Sequence, residues 1–181
     1  MRLTFAGGAG WVTGANFLLE TMPEDGSKPY RMLIDCGLIQ GEKIAEYENW
    51  KAFTYNPKDI DLLIITHAHE DHIGRIPKLV YEGFEGKIVA TPATRDITRI
   101  MLEDTSHILS GSRSGKKFDL DKMYSQKVLD KTETYWETHE YNQEFTPTPG
   151  IEIKFRDAGH ILGSAMVEIV YNGSKIVFTG D

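Results

Sequence analysis

The sequence predicts a mixed α/β domain. Short β-patterned runs alternate with segments of helical spacing along the 181 residues. Residues with metal-ligand chemistry directly follow several of those runs. In addition, 40% of the residues are hydrophobic and 26% are charged, which is enough apolar material for one buried core.

The first half of the chain is predicted to form a sheet. β-patterned runs occur at residues 3–5, 15–20, 30–35 and 62–66, with turn-forming residues between them. Glycines separate the first two runs, but their spacing matches neither a dinucleotide-binding motif nor a phosphate-binding loop with its lysine. They predict a tight connection between two strands instead, and they are Gly7, Gly8, Gly10 and Gly14.

Two helices are predicted in the middle of the chain, on either side of a strand at residues 87–90. The first covers residues 71–84, where apolar side chains recur at helical spacing and Pro77 lies near the start. The second begins after Thr91, which can cap it, with Pro92 at its first position. Its apolar stripe consists of Ile97, Ile100 and Met101.

The rest of the chain is predicted to contain a polar loop, a further helix and three strands. Residues 110–117 are small, polar and basic, which is typical of a mobile surface loop, and residues 119–134 resume a charged helical pattern. Asn172 and Gly173 indicate a two-residue hairpin turn between the last two strands. These strands are predicted at residues 151–156, 165–171 and 175–179.

The overall charge argues against a protein that holds nucleic acid by bulk basicity. The chain has a formal net charge of −7 and a pI near 5.4, so a local site would have to bind any nucleic acid. Cys36 is the single cysteine and cannot form an internal disulfide. No stretch approaches the roughly 18 to 20 apolar residues of a membrane span. We therefore expect a cytoplasmic protein that does not enter a membrane.

The most informative motif directly follows a predicted strand. Four metal-competent side chains occur there within a short run, namely His67, His69, Asp71 and His72. Imidazole and carboxylate groups suit zinc, and such close spacing lets one loop present ligands to two ions. Two more residues of ligand type follow later strands and are expected to converge on this loop, His160 and Asp181.

The chain resembles the metallo-β-lactamase superfamily, because Asp35, the His-x-His-x-Asp-His run, His160 and Asp181 match its first four motifs in their usual order. It is most similar to the β-CASP branch, which contains nucleic-acid hydrolases. That similarity depends on short sequence motifs at residues 12–14, 35–41 and 158–165. The resemblance implies the N-terminal half of an αββα sandwich, with a mixed sheet and helices on its outer face.

The resemblance also implies roles for individual residues around two zinc ions. Asp71 would be the catalytic residue that orients the attacking water and accepts its proton. Asp35 would support the ligands without binding metal, and Glu70 is expected to be a solvated position. The implied ligands are His67, His69 and His160 for one ion, Asp71 and His72 for the second, and Asp181 for both.

The implied substrate is RNA, whose phosphodiester bonds the intact protein would hydrolyse. Residues 1–181 would form the N-terminal portion of the metallo-β-lactamase domain, without the β-CASP domain and the C-terminal remainder. This portion is expected to have weak activity or none, and an exposed sheet edge or face would permit a homodimer. Three alternatives remain: a non-catalytic metal-binding scaffold subunit of an RNA-processing complex, a lactamase-fold hydrolase of a thioester or other small substrate, and a zinc-stabilised structural domain.

Overall fold

The computed structural model describes residues 1–23, 25–41, 43–109 and 118–181, and it contains two stacked sheets. The predicted polar loop at residues 110–117 lies outside the described residues. The larger sheet has six strands, which follow chain order across the sheet. They are β1 (Arg2–Gly7), β2 (Asn16–Glu20), β3 (Arg31–Ile34), β4 (Leu62–Ile64), β5 (Lys87–Ala90) and β6 (Trp136–Thr138).

The larger sheet is mixed, as predicted. β1, β2 and β3 pair antiparallel, whereas β3, β4, β5 and β6 pair parallel. Parallel neighbours need a crossover, and helices provide most of these connections. The helices are α1 (Lys43–Trp50), α2 (Glu70–Ile73), α3 (Ile76–Tyr81), α4 (Pro92–Leu109), α5 (Leu120–Met123) and α6 (Gln126–Glu133), with a short 3₁₀ turn at Pro57–Asp59.

The smaller sheet is antiparallel throughout. Its strands are β7 (Glu144–Phe145), β8 (Ile151–Asp157), β9 (Ala165–Tyr171) and β10 (Ser174–Phe178), each paired with the next along the chain. Asn172 and Gly173 join β9 to β10 with φ angles of 49° and 73°. Two positive φ angles are the requirement of a type I′ turn, so the predicted hairpin is confirmed.

Alternating side chains of the larger sheet enter two separate cores. Ile34 and Ile64 face the smaller sheet and pack with apolar residues of β8 and β9. Leu33, Leu63 and Ile65 face the opposite way and pack with the helices. This period of two is typical of a sheet that is covered on both sides. The layers are therefore helices, mixed sheet and antiparallel sheet, which confirms the predicted fold class.

Three helical predictions need correction. The single helix at residues 71–84 is wrong, because α2 ends at Ile73 and α3 begins at Ile76. The stripe of α4 is only partly correct, since Ile100 is exposed while buried threonines line the inner face. The pattern at residues 119–134 forms two short helices. None of the described helices is long and apolar enough to cross a membrane.

Candidate metal centre

The metal-ligand loop runs from the end of β4 into the short helix α2, and neighbouring loops fix its backbone. The carbonyl oxygens of Glu70, Asp71 and His72 accept hydrogen bonds from three backbone N–H groups outside the loop. The donors are Leu38, Ala15 and Cys36, at 2.9, 2.9 and 2.7 Å. Backbone bonds to two other segments therefore hold the loop before any ligand is bound.

Gly37 allows this close approach. A Cβ atom at this position would lie 1.5 Å from the carbonyl oxygen of Asp71 and 2.6 Å from the backbone nitrogen of His72. No side chain fits into that space, and both nearby atoms belong to the backbone and cannot rotate away. Glycine is therefore required where the segment after β3 crosses the metal-ligand loop.

Asp35 is the buried support of the centre, and its carboxylate is fully engaged. One carboxylate oxygen accepts the backbone N–H of Thr66 at 2.8 Å. The other lies 2.9 Å from the Thr66 hydroxyl and 2.8 Å from Nδ1 of His72. Asp35 also adopts a left-handed backbone with φ of 59°, and the Asn16 amide caps its carbonyl at 2.7 Å. The structure therefore gives Asp35 the supporting contacts that the sequence predicts.

These contacts determine which nitrogen each buried histidine presents to the centre. Nδ1 of His72 donates to Asp35, so Nε2 of His72 faces the other ligand residues. Nδ1 of His67 lies 3.0 Å from the Thr66 hydroxyl, and its Nε2 likewise faces the other ligand residues. Burial lowers the pKa of His67 to about 4, so the ring is neutral at pH 7. Burial also disfavours the charged form of His72, but the hydrogen bond and charge of Asp35 outweigh it and raise the pKa.

The first donor group combines three histidines with one aspartate. Nδ1 of His69 lies 3.1 Å from Nε2 of His67 and 3.1 Å from Nε2 of His160. A carboxylate oxygen of Asp181 lies 3.8 Å from Nε2 of His67. Ligands bonded at about 2.0 to 2.1 Å to a tetrahedral zinc ion are separated by roughly 3.3 Å. The spacing and the donor chemistry of this group both fit a metal ion.

A second donor group lies beside the first and shares Asp181 with it. Nε2 of His72 lies 3.8 Å from Asp71 and 3.3 Å from the other carboxylate oxygen of Asp181. Within each group, all the ligand atoms lie within 4.8 Å of one another. Because one oxygen of Asp181 faces each group, the two groups form a continuous centre. The structure therefore brings together all six residues that the sequence selects as ligands.

His160 and Asp181 reach the centre from the smaller sheet. The Ser164 hydroxyl accepts the backbone N–H of His160 at 3.1 Å, and the Ala165 N–H donates to the Thr66 carbonyl at 2.8 Å. These bonds connect the turn before β9 to the metal-ligand loop. Asp181 follows β10, and its side chain is 47% exposed. The centre thus lies where the ends of strands from both sheets meet.

A cleft of about 300 Å³ opens beside the second donor group. One wall contains Asp35, Thr66, His72 and Asp181. The other walls come from the connection between β1 and β2 and from the end of β10. This cleft gives a substrate direct access to the shared carboxylate, as a reactive centre requires.

Sequence reasoning missed two contacts at the centre. Thr66 directly precedes the metal-ligand motif, and its hydroxyl contacts Asp35 and both buried histidines. Glu70 is not a solvated position, since Thr105 of α4 donates to one carboxylate oxygen and the other oxygen is buried. Burial raises the pKa of Glu70 accordingly. A threonine directly before the first histidine was the available signal for the first contact.

The chain is similar in sequence to known proteins. The family model described as the metallo-β-lactamase superfamily matches residues 28–181. Over 181 residues the chain is 33% identical to Ribonuclease TTHA0252 of Thermus thermophilus, covering 100% of this chain and 38% of that protein. Over 188 residues it is 36% identical to Transcription termination factor FttA of Methanosarcina mazei, covering 100% of this chain and 27% of that protein.

The fold matches solved structures as well. The metallo-β-lactamase fold protein YhfI from Bacillus subtilis superposes with a TM-score of 0.53 at 16% identity. The match covers 93% of this chain and 55% of that one. At this identity the likeness concerns the fold alone. The chain spans well under half the length of the two curated relatives that it matches.

Proposed function

Because the chain belongs to the metallo-β-lactamase superfamily, we propose that it carries the metal centre of a zinc-dependent hydrolase that cleaves phosphodiester bonds in RNA. The observation that carries this proposal is the pair of donor groups that share Asp181. A ribonuclease among the relatives supports RNA as the substrate. Since residues 1–181 correspond to 38% of that relative, metal binding is proposed for this chain and RNA hydrolysis for the whole protein.

In this proposal two zinc ions occupy the two donor groups. Bound zinc supplies a water nucleophile at neutral pH and neutralises charge that develops on a phosphate. The protein must also keep the metal-binding residues in place, and neighbouring side chains do this. The proposed ligands are His67, His69 and His160 for one ion, Asp71 and His72 for the second, and Asp181 for both.

Asp71 is the proposed catalytic residue of this chain. Its carboxylate lies 3.8 Å from Nε2 of His72, and its side chain is only 15% exposed. A carboxylate beside His72, which lines the cleft, can accept a hydrogen bond from the attacking water and then take its proton. Asp35 and Thr66 act indirectly, because they orient the two buried imidazoles.

The first experiment is to measure the zinc content per chain by plasma mass spectrometry, before and after dialysis against a mild chelator. We expect about two zinc ions per chain, and about one in His69→Ala, because His69 belongs to the first donor group alone. The matched control is His139→Ala, because His139 belongs to neither donor group. An unchanged zinc content in His69→Ala would contradict the proposed centre.

Hydrolysis is then tested on the whole protein with single-stranded RNA, a thioester and a lactam. We expect cleavage of RNA alone, and a loss of at least 100-fold in kcat for Asp71→Asn, because proton transfer contributes about 100- to 10,000-fold. Cleavage of the thioester but not of RNA would instead favour a small-substrate hydrolase. Zinc binding without any cleavage would favour a scaffold subunit.

Self-association is also proposed, through the open edge of the larger sheet. Among the described strands β1 pairs only with β2, and Phe5 on this strand is 61% exposed. Unpaired strand edges with apolar side chains favour association with a second copy. Sedimentation velocity of the chain and of Phe5→Lys tests this point, and we expect the substitution to shift a dimer to the monomer.

A further inference from the structure

We propose that Trp11, together with Val12, forms a stacking wall for an unpaired base of single-stranded RNA beside the metal centre. This inference rests on the proposed function, because it assigns a contact to the substrate of that same centre. It adds a binding residue that the metal-ligand motif does not contain. Four features of the described residues support it: the anchoring of the loop, its exposure, its position at the cleft and the charge of the cleft walls.

The connection between β1 and β2 holds Trp11 through fixed contacts at its base. The Ala15 N–H donates to the Asp71 carbonyl at 2.9 Å, which ties this connection to the metal-ligand loop. The Thr13 hydroxyl accepts the Gln40 N–H at 2.8 Å. The Trp11 N–H closes a tight turn on the Gly8 carbonyl at 2.9 Å. Trp11 is therefore positioned by the same backbone that positions Asp71.

The tip of this connection exposes apolar side chains. Trp11 is 50% exposed and Val12 is fully exposed. Tryptophan has the largest side chain and usually buries most of it, so a tryptophan residue that is half exposed has a free energy cost. Such exposure is typical of a surface that contacts a ligand.

The exposed pair lies at the metal cleft. Trp11 and Val12 line the same cleft of about 300 Å³ as His72 and Asp181. A nucleotide whose phosphate reaches the donor groups would therefore place its base, or that of a neighbouring nucleotide, against this wall. An aromatic ring beside a phosphate-binding centre is a usual arrangement in proteins that bind single-stranded RNA.

The charge of the cleft favours stacking over ionic contacts. Among the described residues that line it, none is lysine or arginine, while Asp35 and Asp181 are acidic. The whole chain also carries a net charge of −7. Basic side chains therefore contribute little to RNA binding at this cleft, whereas stacking on an aromatic ring requires no charge and tolerates any base.

The test is equilibrium binding of a ten-nucleotide oligoadenylate to the 181-residue chain in the presence of a chelator, so that hydrolysis cannot consume the RNA. We expect the RNA to quench tryptophan fluorescence, and Trp11→Ala to weaken binding by about 5- to 100-fold. Trp11→Phe keeps an aromatic ring and should weaken it less than threefold. Tyr81→Ala removes an exposed aromatic side chain outside the cleft and should have no effect.

An abasic oligomer of the same length separates stacking from backbone contacts. We expect the unmodified chain and Trp11→Ala to bind it equally weakly. Equal affinity of these two proteins for oligoadenylate would overturn the inference, and so would an absence of RNA binding by the unmodified chain. A change in sedimentation but not in RNA affinity for Trp11→Ala would also overturn it, by assigning the surface to a second copy of the chain.

The activity of the whole protein distinguishes this inference from the proposed function. If Trp11→Ala raises KM for RNA by about 5- to 100-fold with little change in kcat, both stand. If the unmodified protein cleaves RNA and Trp11→Ala has an unchanged KM, the inference fails alone. If the chain binds RNA through Trp11 and the whole protein cleaves no RNA, the proposed function fails alone.

Discussion

The two halves of the candidate metal centre differ sharply in how the protein holds them. The inner half consists of His67 and His72, which are 1% and 5% exposed and hydrogen-bonded through Nδ1. The outer half contains His160 and Asp181, which are exposed and reach the centre from the smaller sheet. The inner half is therefore part of the folded core, whereas the outer half lies at the solvent-exposed surface.

This difference separates stability from metal affinity. Buried ligands contribute to both, because their removal leaves unsatisfied partners and a cavity. Exposed ligands contribute mainly to affinity, because water replaces them at little cost. Substitutions at the inner half should therefore lower the stability of the metal-free protein, whereas those at the outer half should lower mainly its affinity for metal.

The largest effect is expected where the backbone of the inner half is most crowded. Gly37→Ala should lower the free energy of unfolding by about 3 kcal/mol, because its Cβ would meet the Asp71 carbonyl at 1.5 Å. Gly26→Ala is the control, since its Cβ would meet nothing within 4 Å and only the positive φ costs about 1 kcal/mol. Guanidinium unfolding with chelator measures both. Equal losses would show that the crossing of the two loops is not rigid.

Removal of the buried negative charge of Asp35 should have the next largest effect on stability. Asp35→Asn weakens the hydrogen bonds from Thr66 and His72, so we expect a loss of about 2 kcal/mol in the free energy of unfolding. Zinc affinity should fall by about 10- to 100-fold, as for other residues that orient a ligand. Chelator competition measures this affinity. Asp96→Asn, at an exposed carboxylate, should change neither quantity, and an equal effect there would contradict the supporting role.

Substitutions of two histidines of the first donor group, one buried and one exposed, compare the inner and outer halves of the centre directly. Zinc content should fall similarly in His67→Ala and His160→Ala, because each removes one ligand from the first group. In chelator, however, His67→Ala should lose about 2 kcal/mol of stability and His160→Ala less than about 0.5 kcal/mol. Chemical unfolding and metal analysis of the two variants give both quantities. Equal losses of stability would remove the distinction between inner and outer ligands.

The smallest effect on the metal-free protein is expected at the shared carboxylate. Asp181→Asn should change stability in chelator by less than about 0.5 kcal/mol, because the side chain is 47% exposed. With zinc at a hundred times the dissociation constant, the unmodified chain should gain about 2.7 kcal/mol for each zinc ion bound. The variant should lose most of this gain, since Asp181 belongs to both groups. A full gain in Asp181→Asn would show that the carboxylate is not shared.

The sequence predicted the features that short-range patterns determine. The strand at Lys87–Ala90 and the strand at Ala165–Tyr171 have the predicted bounds, and the Asn172-Gly173 turn joins the predicted hairpin. The family resemblance, which depends on the ligand residues and on short motifs elsewhere in the chain, is confirmed by the family model and by the relatives. Motifs of this kind can be recognised in a sequence because each needs particular residues at particular spacings.

Features that depend on tertiary contacts could not be predicted. The helical pattern at residues 71–84 continues through Arg75, but this side chain is buried and its Nε donates to the Gly37 carbonyl, where the chain passes between two helices. β6 and β7 have three and two residues, which are too few for a clear pattern. Glu70 is half-buried and accepts a hydrogen bond from Thr105, 35 residues away. In each case a remote partner determines the local structure.

The hairpin turn between β9 and β10 has a consequence for insertions and deletions. The pairing of β10 with β9 runs from Ser174 opposite Tyr171 to Phe178 opposite Val167, and Asp181 follows three residues later. One residue added at the turn would shift β10 by about 3.4 Å and reverse its faces. Metal–ligand bonds tolerate only about 0.2 Å. A change in the length of this surface turn would therefore move the shared carboxylate out of reach of both donor groups, although it alters none of the ligand residues.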